Sequence, residues 1–207
     1  MENSKFNKPA NNAGSNSFIK IWHLAMVVLC LAAWLTGDMA GDYKKIEHSG
    51  FIIHGCIGMV LSFAVCLYLS YGVAGPRPLR FSQWFPFTWK RLRQAGSDIA
   101  ELRRFKLPEH NSRQGLSGLV QFIGVLIFFW LAITGVLIYL FIEPGSKALG
   151  VLHALKEAHE IGEILIPLYL GIHIGAVILH SLTGDHLWRE IFFQKSSSVD
   201  KSSEGLR

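Results

Sequence analysis

Cysteine is scarce in this chain, and the little there is forms no pattern. Cys30, Cys56 and Cys66 are the whole complement in 207 residues. No C-x-x-C pair offers a zinc or redox site, and no C-x-x-C-H offers a point for covalent haem attachment. All three fall within apolar runs, where cysteine ordinarily serves as a small buried hydrophobe. Charge is missing over long stretches too. Asp, Glu, Lys and Arg are absent from Ile21 to Gly37, from Ser49 to Pro76, from Gln114 to Ile142 and from Ile164 to Gly184. Internal repeats and low-complexity domains are absent as well. The first apolar run has no A-x-A-like cleavage site, and Asp38 follows Thr36 and Gly37 directly. It is therefore expected to remain as a span, not to leave as a signal peptide.

Total apolar content decides little: 50% of the residues are hydrophobic, and soluble domains are also about half apolar. The distribution decides more. Each charge-free run approaches or exceeds the roughly 20 apolar residues needed to cross a hydrocarbon core of about 30 Å. Lipid offers no hydrogen bonds to the backbone, so such runs must be helices. One buried helix of this length suits a soluble protein; four in a small chain do not. The expected fold is all-α, a membrane four-helix bundle, with spans at about 18–37, 50–75, 114–142 and 158–184 within a domain covering 18–195. Glycines inside the runs, among them Gly55, Gly58, Gly124, Gly135 and Gly171, suit close helix packing. The polar stretches 1–17 and 196–207 are expected to be disordered tails.

Positive charge sorts by loop. Between runs two and three lie Arg77, Arg80, Lys90, Arg91, Arg93, Arg103, Arg104, Lys106 and Arg113. The other two loops hold only Lys44 with Lys45, and Lys147 with Lys156. The positive-inside rule therefore puts the middle loop, 77–113, and both termini in the cytoplasm. This membrane-facing charge accounts for the net +5, and no nucleic-acid partner is needed. Within the loop, Trp89, Leu92, Ile99, Leu102 and Phe105 recur between basic residues. That pattern predicts an amphipathic helix on the inner leaflet, the alternative being an ordinary solvated helix. Trp84, Phe85 and Phe87 precede it as interfacial anchors.

Nine histidines remain, and ionisable side chains inside a membrane are costly and usually functional. His159 and His173 are 14 residues apart on the fourth run. On an ideal helix that is roughly 40° of rotation and roughly 21 Å of rise, so they share a face, one near each leaflet. Neutral imidazole is a common axial ligand of haem iron. Each haem needs a second ligand at matching depth. Charge-derived topology puts His54 near the outer end of span two and His23 near the inner end of span one. The expected pairs are His54 with His159 and His23 with His173. His180 lies seven residues past His173 and about 20° off the same face. It competes for the inner site, or contacts a haem propionate or a quinone headgroup; the spacing from His159 favours His173. Pro167 sits between the ligands and removes the hydrogen bond to the Glu163 carbonyl, so a kink is expected. His48, His110, His153 and His186 are expected in loops.

At these residues the chain resembles the bacterial cytochrome b561 and nickel-iron hydrogenase cytochrome b family, over roughly residues 17–195. Cytochrome b subunits of formate dehydrogenase and thiosulfate reductase are relatives. The pieces that carry the resemblance are W-H-L-A and L-T-G in span one, H-G-C-I-G-M opening span two, and Y-G-V-A-G-P-R-P-L-R-F-S-Q-W after it. H-N-S-R-Q-G before span three, I-T-G near its end, and H-E-I-G with L-G-I-H-I-G-A-V-I-L-H in span four complete the set. The resemblance implies two b haems, with His23, His54, His159 and His173 as axial ligands, in a bacterial inner membrane. It implies electron transfer between the quinone pool and a periplasmic partner of hydrogenase, dehydrogenase or cytochrome c type. In the formate dehydrogenase relatives an Asn in an N-x-x-Q stretch lies by the quinone; Asn111 and Gln114 match it, although Asn111 or Ser112 serves equally as a helix cap. Arg77 and Arg80 are candidates for haem-propionate contact, or simply positive-inside residues. The outer loops are short, so a periplasmic redox domain is expected on another subunit. The alternative within the wider family is a stand-alone, quinone-linked oxidoreductase acting on a small species such as superoxide.

Overall fold

The computed structural model describes residues 13–45, 47–75, 77, 80–104, 115–143 and 145–182, with backbone alone at 13–19, 84 and 179–182. Every regular element among the described residues is helical. In order they are α1 (Ala13–Leu35), a 3₁₀ helix (Asp38–Lys44), α2 (Ser49–Ala74), α3 (Phe81–Trp84), α4 (Trp89–Leu102), α5 (Leu116–Phe141), α6 (Val151–Glu160) and α7 (Gly162–Leu182). Three stretches are long and apolar enough to cross a membrane: Ser49–Ala74, Leu116–Phe141 and Val151–Ile178. A fourth arises if Lys20–Leu35 and the 3₁₀ helix, bent by 51°, form one broken span. α1 begins at Ala13, ahead of the expected start at 18, because no proline interrupts the ladder between Ala13 and the apolar run.

The bundle is apolar on the outside. Val60, Phe63, Ile164 and Leu168 are exposed, whereas Ser62 and Thr134 are buried. Oily side chains that would be costly in water cost nothing against lipid, and small or hydroxyl-bearing residues let the helices approach. Two of the three cysteines depart from expectation. Cys30 is buried, but α2 turns Cys56 and Cys66 outward.

Each end of the bundle is closed by a distinct device. At one end Asp42 of the 3₁₀ helix accepts hydrogen bonds from the Gly50 and Phe51 amides, both at 2.8 Å. Those are orphan donors at the start of α2. Tyr43 then packs with Phe51, Ile138 and Ile142. At the other end Phe81 stacks on Phe85 at 4.4 Å, and Phe122 of α5 meets Phe85 edge-on at 4.7 Å. Arg91 of α4 donates to the Ser82 and Phe85 carbonyls at 3.0 and 2.8 Å, tying α4 to α3.

The basic amphipathic helix spans Trp89–Leu102, capped by Thr88, whose hydroxyl accepts from the Arg91 amide. Phe105, its expected last apolar position, lies outside the described residues. Ala95 is its buried face, while Trp89, Leu92 and Ile99 are exposed, as in a helix lying on a lipid surface. Asp98 reaches across to α5 and accepts from the Leu116 amide at 2.8 Å. Gly115 precedes that amide at φ 67°, and a Cβ there would collide with the Asp98 carboxylate, so glycine is required twice over. Asp98→Ala is expected to lower stability by about 1 kcal/mol, the usual cost of a lost cap, read as thermal unfolding in detergent.

Candidate functional site

His54 stands in the second turn of α2 and reaches back to the end of α1. Its Nδ1 lies 3.0 Å from the Ala33 carbonyl and 3.3 Å from the Thr36 hydroxyl. His159 stands in the last turn of α6, with Nδ1 2.9 Å from the Thr134 hydroxyl of α5. The two imidazoles face each other, ring centres 6.2 Å apart and planes at 76°. Gly135 makes room for the second ring: a Cβ there would sit 2.9 Å from His159 Cε1.

The second pair forms toward the α4 end. His23 of α1 and His173 of α7 also have ring centres 6.2 Å apart, with planes at 53°. Tyr169, one turn before His173, stacks on it at 5.7 Å and 19°. Phe128 of α5 meets Tyr169 edge-on at 6.2 Å, and the tyrosine fits because Gly124 opposite its hydroxyl has no side chain to collide with. His54 meets α1 at Ala33, ten residues beyond His23, which separates the pairs by roughly 15 Å along α1.

Two donors per pair constrain the chemistry. A metal–histidine bond is about 2.0 Å long, so ring centres 6.2 Å apart leave room for one metal atom between the two imidazoles of each pair. Among the described residues no cluster of three or more His, Cys, Asp or Glu side chains gathers for a metal. Two imidazoles alone would suit a group that brings further ligands of its own, such as a haem, which the His54–His159 and His23–His173 pairs would hold. Space is present. A cavity of about 350 Å³ lies between the helices, walled by His54, His159, Phe128, Gly58 and Gly135, within the size range of ligand pockets. Lys156 at its rim is paired with Glu160 at 2.5 Å and Glu157 at 3.6 Å.

Pro167 has the consequence its position predicts, with an unforeseen remedy. It lies inside α7 and has no N–H for the Glu163 carbonyl. The Trp34 indole of α1 supplies the missing donor at 3.1 Å. A second discontinuity falls at Ile161, between α6 and α7, and there the Trp130 indole of α5 donates to the Ala158 carbonyl at 3.1 Å. The bundle thus spends two tryptophan donors on carbonyls near His159, in a medium where no water would serve.

The remaining candidates separate. Arg80 donates from Nε to the Gly75 carbonyl at 2.7 Å, and Arg77 is exposed. The His180 side chain lies outside the described residues, as do Asn111, Gln114, His110 and His186. His153 stands on α6, not in a loop, with its ring 3.8 Å from Glu157; the helix simply begins earlier than the charge-free run. His48 immediately precedes α2. Thr36, Thr134, Trp34, Trp130 and Tyr169 were not foreseen. One signal was available: L-T-G and I-T-G each place a threonine, then a glycine, near the end of a span, and each threonine touches a facing histidine.

A family described as prokaryotic cytochrome b561 matches residues 15–194. No curated protein and no solved structure matches the chain.

Proposed function

Because the chain belongs to the prokaryotic cytochrome b561 family, membrane b-type cytochromes of electron transfer, we propose that it binds two b haems and passes electrons across the membrane between a quinone and a periplasmic redox partner. The observation that carries this is the recurrence of one geometry: two histidine pairs, each with ring centres 6.2 Å apart, at different depths of one bundle. His54 and His159 hold one haem, and His23 and His173 the other. When bound, a b haem supplies a one-electron iron couple. The side chains supply the rest. Four imidazoles orient the two groups, Gly135 and Gly124 admit the rings packed against them, and the lipid-facing apolar surface excludes water.

Orientation follows from the basic residues. The end carrying α4 faces the cytoplasm of a bacterial inner membrane, so His23 and His173 form the inner site and His54 and His159 the outer one. Quinone is handled at the inner end, where Asn111 and Gln114 remain candidates, and the partner, a separate hydrogenase-like, dehydrogenase-like or cytochrome c subunit, docks at the outer end. The reading as a stand-alone superoxide-linked enzyme gains no support from the cavity rim. Lys156 is engaged by two carboxylates and offers little spare charge to a small anion.

The test is reduction of the oxidised, purified protein by a quinol. The wild type is expected to show both haems reduced, whereas His173→Ala, lacking the inner haem, leaves the outer one oxidised on the same timescale. Unchanged quinol reduction of the outer haem in that variant would contradict the direction of the path. Loss of a haem on His180→Ala, with His173→Ala intact, would transfer the inner ligand to His180. Gly135→Leu is expected to displace the His159 ring and empty the outer site alone, read as a loss of about half the haem per chain.

A further inference from the structure

The hydroxyl of Thr134 has one proton and three neighbours. Thr134 is 4% exposed. Its Oγ1 lies 2.9 Å from the Trp130 carbonyl and 3.3 Å from the Leu131 carbonyl, one turn back on its own helix. Its third neighbour is His159 Nδ1, at 2.9 Å. Carbonyls only accept, and a helical threonine returns its proton to the preceding turn in this way. With that proton engaged, the oxygen presents a lone pair to the ring, so Nδ1–H is the donor. Nε2 is then bare and free to coordinate. The opposite assignment would set two acceptors, the engaged hydroxyl oxygen and a bare Nδ1, against each other at 2.9 Å, which is unfavourable. The facing ring is fixed the same way by a different acceptor. His54 Nδ1 lies 3.0 Å from the Ala33 carbonyl, which can only receive a proton.

We propose that Thr134 is a positioning residue that fixes the tautomer and ring angle of His159 and, through that hydrogen bond, lowers the reduction potential of the haem at the outer pair. The proposal rests on the two-haem reading. A ligand imidazole that donates its second N–H gains basicity, and a more basic axial ligand favours ferric over ferrous iron.

The experiment is a spectroscopic redox titration of the purified holoprotein and three variants. The wild type is expected to titrate as two b-haem components, and His159→Ala identifies the outer one by its disappearance. Thr134→Val keeps the shape and removes the hydroxyl. It is expected to move the outer component to higher potential, or to lose it, with the inner component unmoved. Thr134→Ser, which restores the hydroxyl without the methyl group, is expected to return the outer component to the wild-type potential. Wild-type potentials in Thr134→Val overturn the proposal, as does a Thr134→Ser protein that behaves like Thr134→Val, or a shift shared equally by both components. A wild type without two components, or one in which His159→Ala retains both, overturns the two-haem reading instead, and that is visible before any threonine variant is made.

Discussion

His159→Ala and His54→Ala are each expected to remove the same haem, leaving about half the haem per chain and an identical residual spectrum. The reason is geometric. The two rings approach from α6 and α2 to 6.2 Å between centres, close enough that one metal atom between them would be held by both. With either ring lost, the haem would keep only one of the two histidines that would hold it. His23→Ala and His173→Ala are expected to remove the other haem, since their 6.2 Å contact is a separate one. His54→Ala combined with His159→Ala should lose no more haem than either alone. His54→Ala combined with His173→Ala should lose all of it. Residual spectra that differ between His54→Ala and His159→Ala would break the pairing. The readout is haem per chain with the reduced-minus-oxidised spectrum, on protein shown to be folded by size exclusion.

Trp34→Phe is expected to destabilise the bundle, and Pro167→Ala is expected to cancel most of that loss. Phenylalanine keeps the ring but removes the indole N–H, leaving the Glu163 carbonyl without the donor it now has at 3.1 Å. In a low-dielectric setting that costs about 1–2 kcal/mol. Alanine at 167 restores a backbone N–H one turn beyond Glu163, so the helix ladder satisfies the carbonyl itself. The two substitutions should therefore be coupled by about 1 kcal/mol in a double-mutant cycle, measured by thermal unfolding in detergent. Strict additivity would mean that the indole stabilises by packing alone. The same logic extends to Trp130 and the Ala158 carbonyl at the α6–α7 break.

These two expectations differ in how far the sequence foretold them. The helical membrane architecture was legible because charge-free runs are a local property, readable residue by residue. The approach of His54 to His159 and of His23 to His173 was legible for a related reason. Helix direction follows from loop charge, and direction fixes depth, so four histidines sort into two levels before any contact is known. The 3₁₀ helix and the break at Ile161 were not legible. Neither contains a proline at the point of departure; the first is held by its own Asp42 capping α2, and the second is supported from a distance, by Trp130 of α5. Proline at 167 announced an orphaned carbonyl, but nothing local says that its donor stands on α1, 129 positions away. Thr134 was hidden differently. It lay in view within I-T-G, yet its hydroxyl acquires meaning only when α6 delivers His159 to it. Cys56 and Cys66 show the limit of composition: apolar context predicts the membrane, not which face of α2 meets lipid.

Haem content shows whether each histidine pair holds one haem. Protein purified from haem-replete cells, with haem measured as its pyridine complex and chain by quantitative amino-acid analysis, is expected to carry two non-covalent b haems per chain. One haem per chain, unaffected by loss of either His23 or His54, or none at all, would contradict it.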